Sequence, residues 1–174
     1  MKITHCKLNH LVNPLGYALP QLRFSWQTED CRGTRQTAAR LIISENADLT
    51  GPVYDSGFAD LDSLGTKVQL QTKPRTRYYW SVTVLTDADE EATSEPNYFE
   101  TAKQEEPWIA KWITCDNAEP RHPIFCKTLP YSDIAAARLY ICGLGLYEAT
   151  LNGEKIGCEY LTPYCNNYNR WMQY

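Results

Sequence analysis

Apolar residues in the first hundred positions recur at every second place within short runs, and that period admits one kind of element. In Tyr78-Tyr79-Trp80-Ser81-Val82-Thr83-Val84, one face carries Tyr78, Trp80, Val82 and Val84 and the other Tyr79, Ser81 and Thr83, as an extended chain requires. This run predicts a central strand. Leu22, Phe24 and Trp26 alternate with Arg23, Ser25 and Gln27 in the same way, Ala39, Leu41 and Ile43 with Arg40, Ile42 and Ser44, and Val68, Leu70 and Thr72 continue the theme. Turn formers separate the runs: Asn13-Pro14-Leu15-Gly16, Asp30 to Gly33, Gly51-Pro52, Asp55-Ser56-Gly57, Lys73-Pro74 and the acidic Asp87-Ala88-Asp89-Glu90-Glu91. A helical turn capped by Asp60 is expected from Asp60 to Leu64. With Asn97 to Thr101 closing it, the pattern predicts an antiparallel sandwich of roughly 100 residues and about seven strands.

Composition changes at Ala102-Lys103-Gln104-Glu105-Glu106-Pro107, a polar stretch ending in proline. It predicts a first domain over 1–102, a linker over 103–107 and a second domain over 108–174. The second domain also reads as β, with strands at Trp108 to Ile113, Ile124 to Lys127, Ala137 to Cys142 and Tyr147 to Leu151. Asn152-Gly153 between Leu151 and Glu154 is a strong hairpin signal, because both residues tolerate the positive φ of a type I′ turn.

Several function classes fall away. The 174 residues, 43% hydrophobic and 22% charged, suit a folded globular protein. Seventeen Lys and Arg stand against 21 Asp and Glu, a net charge of −4, and the basic residues are scattered, so nucleic acid is not an expected partner. The longest apolar stretch, Leu139 to Tyr147, is too short to span a bilayer and contains glycines, so no membrane association is expected. Seven cysteines are too few for a disulfide scaffold, their odd number prevents complete pairing, and no Cys-x-x-Cys occurs. His5, His10 and His122 sit beside no cysteine pair at zinc-ligand spacing, so neither a metal nor another cofactor is expected. The N-terminus lacks the apolar core of a signal peptide and no glycosylation sequon is present; as written, the chain is expected to be cytoplasmic, or periplasmic or extracellular if its N-terminus was trimmed.

No catalytic residue emerges. Asp87, Asp89, Glu90 and Glu91 are the densest carboxylates, but glycoside hydrolysis needs two carboxyl groups on opposite sides of a scissile bond, one with a raised pKa. A solvated turn supplies neither. No Gly-x-Ser-x-Gly is present, and Gly143-Leu144-Gly145 precedes a strand-like segment instead of opening a helix, so it reads as a bend. Of the many aromatics, Tyr164, Tyr168 and Trp171 have the least packing explanation and are the candidates for stacking on a sugar.

The order of these pieces resembles a known arrangement. Asn13-Pro14-Leu15-Gly16, Pro20 to Trp26, Gln36 to Arg40, Tyr54-Asp55-Ser56-Gly57, Thr76 to Val82, Ser94-Glu95-Pro96 and Phe99-Glu100-Thr101 look like the N-terminal fibronectin type III-like domain of bacterial α-L-rhamnosidases. Ala110-Lys111-Trp112-Ile113, Ala137 to Glu148 and Leu151 to Gly157 are similar to the start of the β-sandwich that follows it. The resemblance implies an all-β fold, an immunoglobulin-like antiparallel sandwich followed by part of a second one. It also implies a parent enzyme that removes terminal α-linked L-rhamnose from glycosides, using acidic residues of a downstream (α/α)6 barrel to which no position here corresponds. The expected partners are that catalytic domain and, for the parent, a rhamnose-containing glycoside. An incomplete second sandwich leaves strand edges unpaired, so self-association is expected as well. The competing expectation is a free-standing module whose loops bind a protein or a carbohydrate.

Overall fold

The computed structural model describes residues 1–115 and 122–174, and the chain divides into two compact units, Met1–Ile113 and Thr114–Tyr174. All its regular elements among the described residues are strands.

The first unit holds nine: β1 (Lys2–Leu8), β2 (Leu15–Tyr17), β3 (Leu22–Glu29), β4 (Gln36–Ser44), β5 (Tyr54–Asp55), β6 (Thr66–Val68), β7 (Arg77–Thr86), β8 (Glu91–Thr93) and β9 (Asn97–Thr101). One sheet has the order β1-β3-β6 and the other β2-β9-β7-β4-β5, with β8 also on β7. β7 is the axis of the larger sheet. β4 runs along one side of it from Ser44 opposite Tyr79 to Gln36 opposite Thr86, while β9 and β8 share the other side, opposite residues 77–80 and 83–85. Its alternation therefore serves a strand flanked on both edges, and Tyr78, Trp80, Val82 and Val84 are buried as the sequence requires.

The core lies between the sheets. Leu22, Phe24 and Trp26 from β3 meet Ala39, Leu41 and Ile43 from β4 and the β7 row, all nearly inaccessible to water. Phe24 packs edge-on against Trp80, centroids 4.8 Å apart, and Phe99 stacks on Tyr78 at 5.2 Å.

The first hundred residues depart from expectation in several places. The 60–64 segment has no helical turn: Asp62 C=O accepts from Gly65 N–H at 3.2 Å and Asp62 Oδ1 from Leu64 N–H at 2.9 Å. The cap is thus Asp62 closing a β-turn, and Asp60 has no part in it. β1 is a strand that the alternation does not announce, because a register shift between Thr4 and Lys7 breaks its period, with His5 at φ 48°. β6 ends at Val68, so Leu70 and Thr72 lie outside it.

The second unit keeps the hairpin. β10 (Thr150–Leu151) pairs with β11 (Glu154–Lys155) across Asn152 (φ 52°) and Gly153 (φ 88°), the positive pair of a type I′ turn. Trp108–Ile113, Ile124–Lys127 and Ala137–Cys142 form no strand. A strand exists through its ladder, and no segment among the described residues offers them one.

Candidate functional site

The acidic β7–β8 loop is a brace. Thr86 ends β7, Asp89 takes a left-handed φ of 55° at the turn, and the geometry turns Asp87 and Glu90 toward the loop between β3 and β4. Asp87 Oδ1 accepts from Thr34 N–H (2.8 Å) and Arg35 N–H (3.3 Å), and its Oδ2 from the Thr34 hydroxyl (2.7 Å). Glu90 Oε2 accepts from Arg32 N–H (2.8 Å) and Gly33 N–H (3.0 Å), with Arg32 Nε 3.6 Å from Oε1. These contacts span more than fifty positions, so composition alone shows the carboxylates and not their targets.

The electrostatics follow. The Thr34 hydroxyl, then the Arg35 and Thr34 amides, hold Asp87 below the usual carboxylate range. Glu90 is lowered chiefly by the Gly33 amide, with the Arg32 amide, the Arg32 guanidinium and the N-terminal ammonium adding and partial desolvation opposing. A general acid at neutral pH needs the opposite shift. Both carboxylates are charged and committed to backbone donors, an arrangement that positions a loop.

Beside the brace lies an open groove of about 360 Å³, between the 31–36 loop, the end of β3 and the turn at 62–65. Gln36 ties its floor together: Oε1 accepts from Trp26 Nε1 (3.0 Å) and Nε2 donates to Leu61 C=O (2.6 Å). Gly33 stands against Thr86 so closely that a Cβ there would sit 2.5 Å from Thr86 Cβ. A second hollow of about 300 Å³ contains Cys6, whose thiol is pushed up by burial against weaker hydrogen bonds from Ser94 and Asn97.

In the second unit, Tyr164 and Trp171 are exposed, and Tyr168 is half-buried with its hydroxyl enclosed and without a hydrogen-bond partner in the structure. Gly145 has φ 116° and Gly143 abuts the Tyr147 ring, the bend that the sequence indicates. All seven cysteines are free, and among the described residues no group of three or more His, Cys, Asp or Glu is placed to hold a metal ion. Among the described residues, no helix is long and apolar enough to cross a membrane.

Residues 3–105 match the family model described as Rha78A-like, N-terminal immunoglobulin domain, and residues 132–174 match the α-L-rhamnosidase N-terminal domain. An α-L-rhamnosidase of Formosa agariphila is 30% identical across 96% of this chain, which covers 21% of that protein. One from Streptomyces avermitilis is 36% identical over 66% of this chain and 12% of its own length. The crystal structure of the Streptomyces avermitilis α-L-rhamnosidase complexed with L-rhamnose superposes with a TM-score of 0.57 at 33% identity, covering 65% of this chain and 12% of that one. That from Dictyoglumus thermophilum gives 0.57 at 32% identity, over 66% of this chain and 14% of that one. The chain thus spans about a fifth or less of the curated relatives it matches.

Proposed function

The chain belongs to the Rha78A-like N-terminal immunoglobulin domain family, and from that premise we propose that it is a non-catalytic N-terminal region of a glycoside hydrolase of the α-L-rhamnosidase type. Its parent would release terminal α-linked L-rhamnose from glycosides, and its sandwich would support and orient a catalytic domain elsewhere in the same polypeptide. The observation that carries this is the confinement of these matches to a small share of much longer rhamnosidases. The commitment of Asp87 and Glu90 to backbone donors, with both carboxyls shifted down, supports a structural role as well. We propose domains over 1–102 and 108–174 joined by a linker over 103–107, the polar stretch that follows β9.

Hydrolysis of an aryl α-L-rhamnoside tests the proposal. The 174-residue chain is expected to give no turnover, and the complete polypeptide encoded by its reading frame is expected to give robust turnover. Activity of the short chain that vanished on Asp87→Asn or Glu90→Gln would overturn it, as would a complete polypeptide without rhamnosidase activity. Unmoved amide resonances during titration with L-rhamnose would exclude sugar stacking on Tyr164, Tyr168 or Trp171.

A further inference from the structure

Two carboxylates on one loop take five hydrogen bonds from another, and four of those donors are the consecutive amides of residues 32–35. No strand ladder holds this loop: β3 ends at Glu29 and β4 begins at Gln36. Besides the brace, its backbone carbonyls accept from the Asp87 N–H at Arg35, 3.1 Å across the same gap, and from the loop's own Cys31 thiol at Gly33, 3.5 Å. Gly33 lets the two loops approach this closely. Cys31, Gly33, Thr34, Arg35 and Gln36 of the held loop form one wall of the 360 Å³ groove.

We propose that Asp87 and Glu90 are an acid-released latch, which holds the 31–36 loop against the sandwich and gives the groove its wall while both are charged. A charged acceptor strengthens each bond, and a protonated carboxyl accepts more weakly and from fewer donors. The neighbouring charges favour the closed state: the Arg32 guanidinium faces Glu90, the N-terminal ammonium acts on the same carboxylate, and Lys2 neutralises Asp30 at 3.3 Å. Arg35 contributes its amide, Asp89 and Glu91 flank the latch on its own hairpin, and Cys31 opens the loop. On the adjoining ladder His5 faces Glu29 at 3.7 Å. Because folding lowers both carboxyls, their contribution is complete above the ordinary range of about 3.9–4.3 and is lost as pH falls through the lowered values. The latch opens in acid.

An NMR titration of the ¹⁵N-labelled chain from pH 7 to pH 3 tests this, reading hydrogen-exchange protection relative to intrinsic rates. The amides of Arg32, Gly33, Thr34 and Arg35 are expected to lose protection severalfold while Val82 and Val84 in the core keep theirs. Glu90→Gln is expected to loosen Arg32 and Gly33 first, Asp87→Asn to loosen Thr34 and Arg35, and the double variant to be loose already at pH 7 and indifferent to acid. Loop and core opening at one midpoint would overturn the proposal, as would an unchanged acid response in the double variant. A transition centred near neutral pH, outside the carboxylate range, would overturn it too. If the double variant does not fold, the order of loop and core opening in the natural chain decides.

Discussion

Gly33 is fixed by a close approach. Its place against Thr86 leaves no room for a methyl group, because the nearest atom is the Thr86 Cβ, which moves only with its backbone. Gly33→Ala is expected to cost about 1–3 kcal/mol through displacement of the two loops, read as a lower urea midpoint. Asp55 makes the corresponding electrostatic case. Its carboxyl is held down to about 2, first by the Arg40 guanidinium, at 2.9 Å from Nε, and then by the Gly57 amide. A lowered carboxyl stabilises the fold above its ordinary value of 3.8, and that contribution disappears as pH falls from about 4 through about 2. Arg40→Met is expected to return the Asp55 titration midpoint most of the way toward 3.8, measured from its side-chain carboxyl resonance. An unmoved midpoint would mean that the Gly57 amide alone sets it.

At the scale of elements, legibility followed the ladder. β3, β4 and β7 are long and carry their buried residues on one face, so Phe24, Leu41 and Trp80 identified themselves by spacing. β2, β5 and β8 have two or three residues each, too few to show a period, and exist because β9, β4 and β7 offer them an edge. β1 concealed itself through its bulge. The brace was invisible for a different reason, since the partners of Asp87 and Glu90 come together only once β4 lies beside β7. A single substitution separates real core from mere alternation. Trp80→Ala, at a site 1% exposed, is expected to cost about 3–5 kcal/mol. Trp112→Ala, in a predicted strand that does not form and 62% exposed, is expected to stay within about 0.5 kcal/mol. Equal losses of the thermal midpoint in the two variants would show that Trp112 is packed in solution.

For the whole molecule, the two units differ in how much ladder they have. The first manages its edges: β2, β5 and β6 are short, and β1 carries a bulge with Lys2 and Lys7. The second exposes Ile124, Phe125, Leu139, Leu161, Tyr164 and Trp171, and its only ladder among the described residues is the two-residue pairing of β10 with β11. It also encloses the Tyr168 hydroxyl and the Asn166 amide nitrogen without hydrogen-bond partners, each worth about 1–3 kcal/mol of lost solvation. A unit with so much apolar surface in water lowers its free energy by covering it, whether with more of its own polypeptide or with another copy of itself. In the 174-residue chain, a second copy is the available cover, so reversible self-association is expected. Light scattering should give a mass that rises with concentration, and Phe125→Lys with Leu139→Lys should return it to 20.0 kDa. Lysine at Val12 and Phe58, apolar residues as exposed in the first unit, should leave the association intact, because that unit already has its core between two sheets.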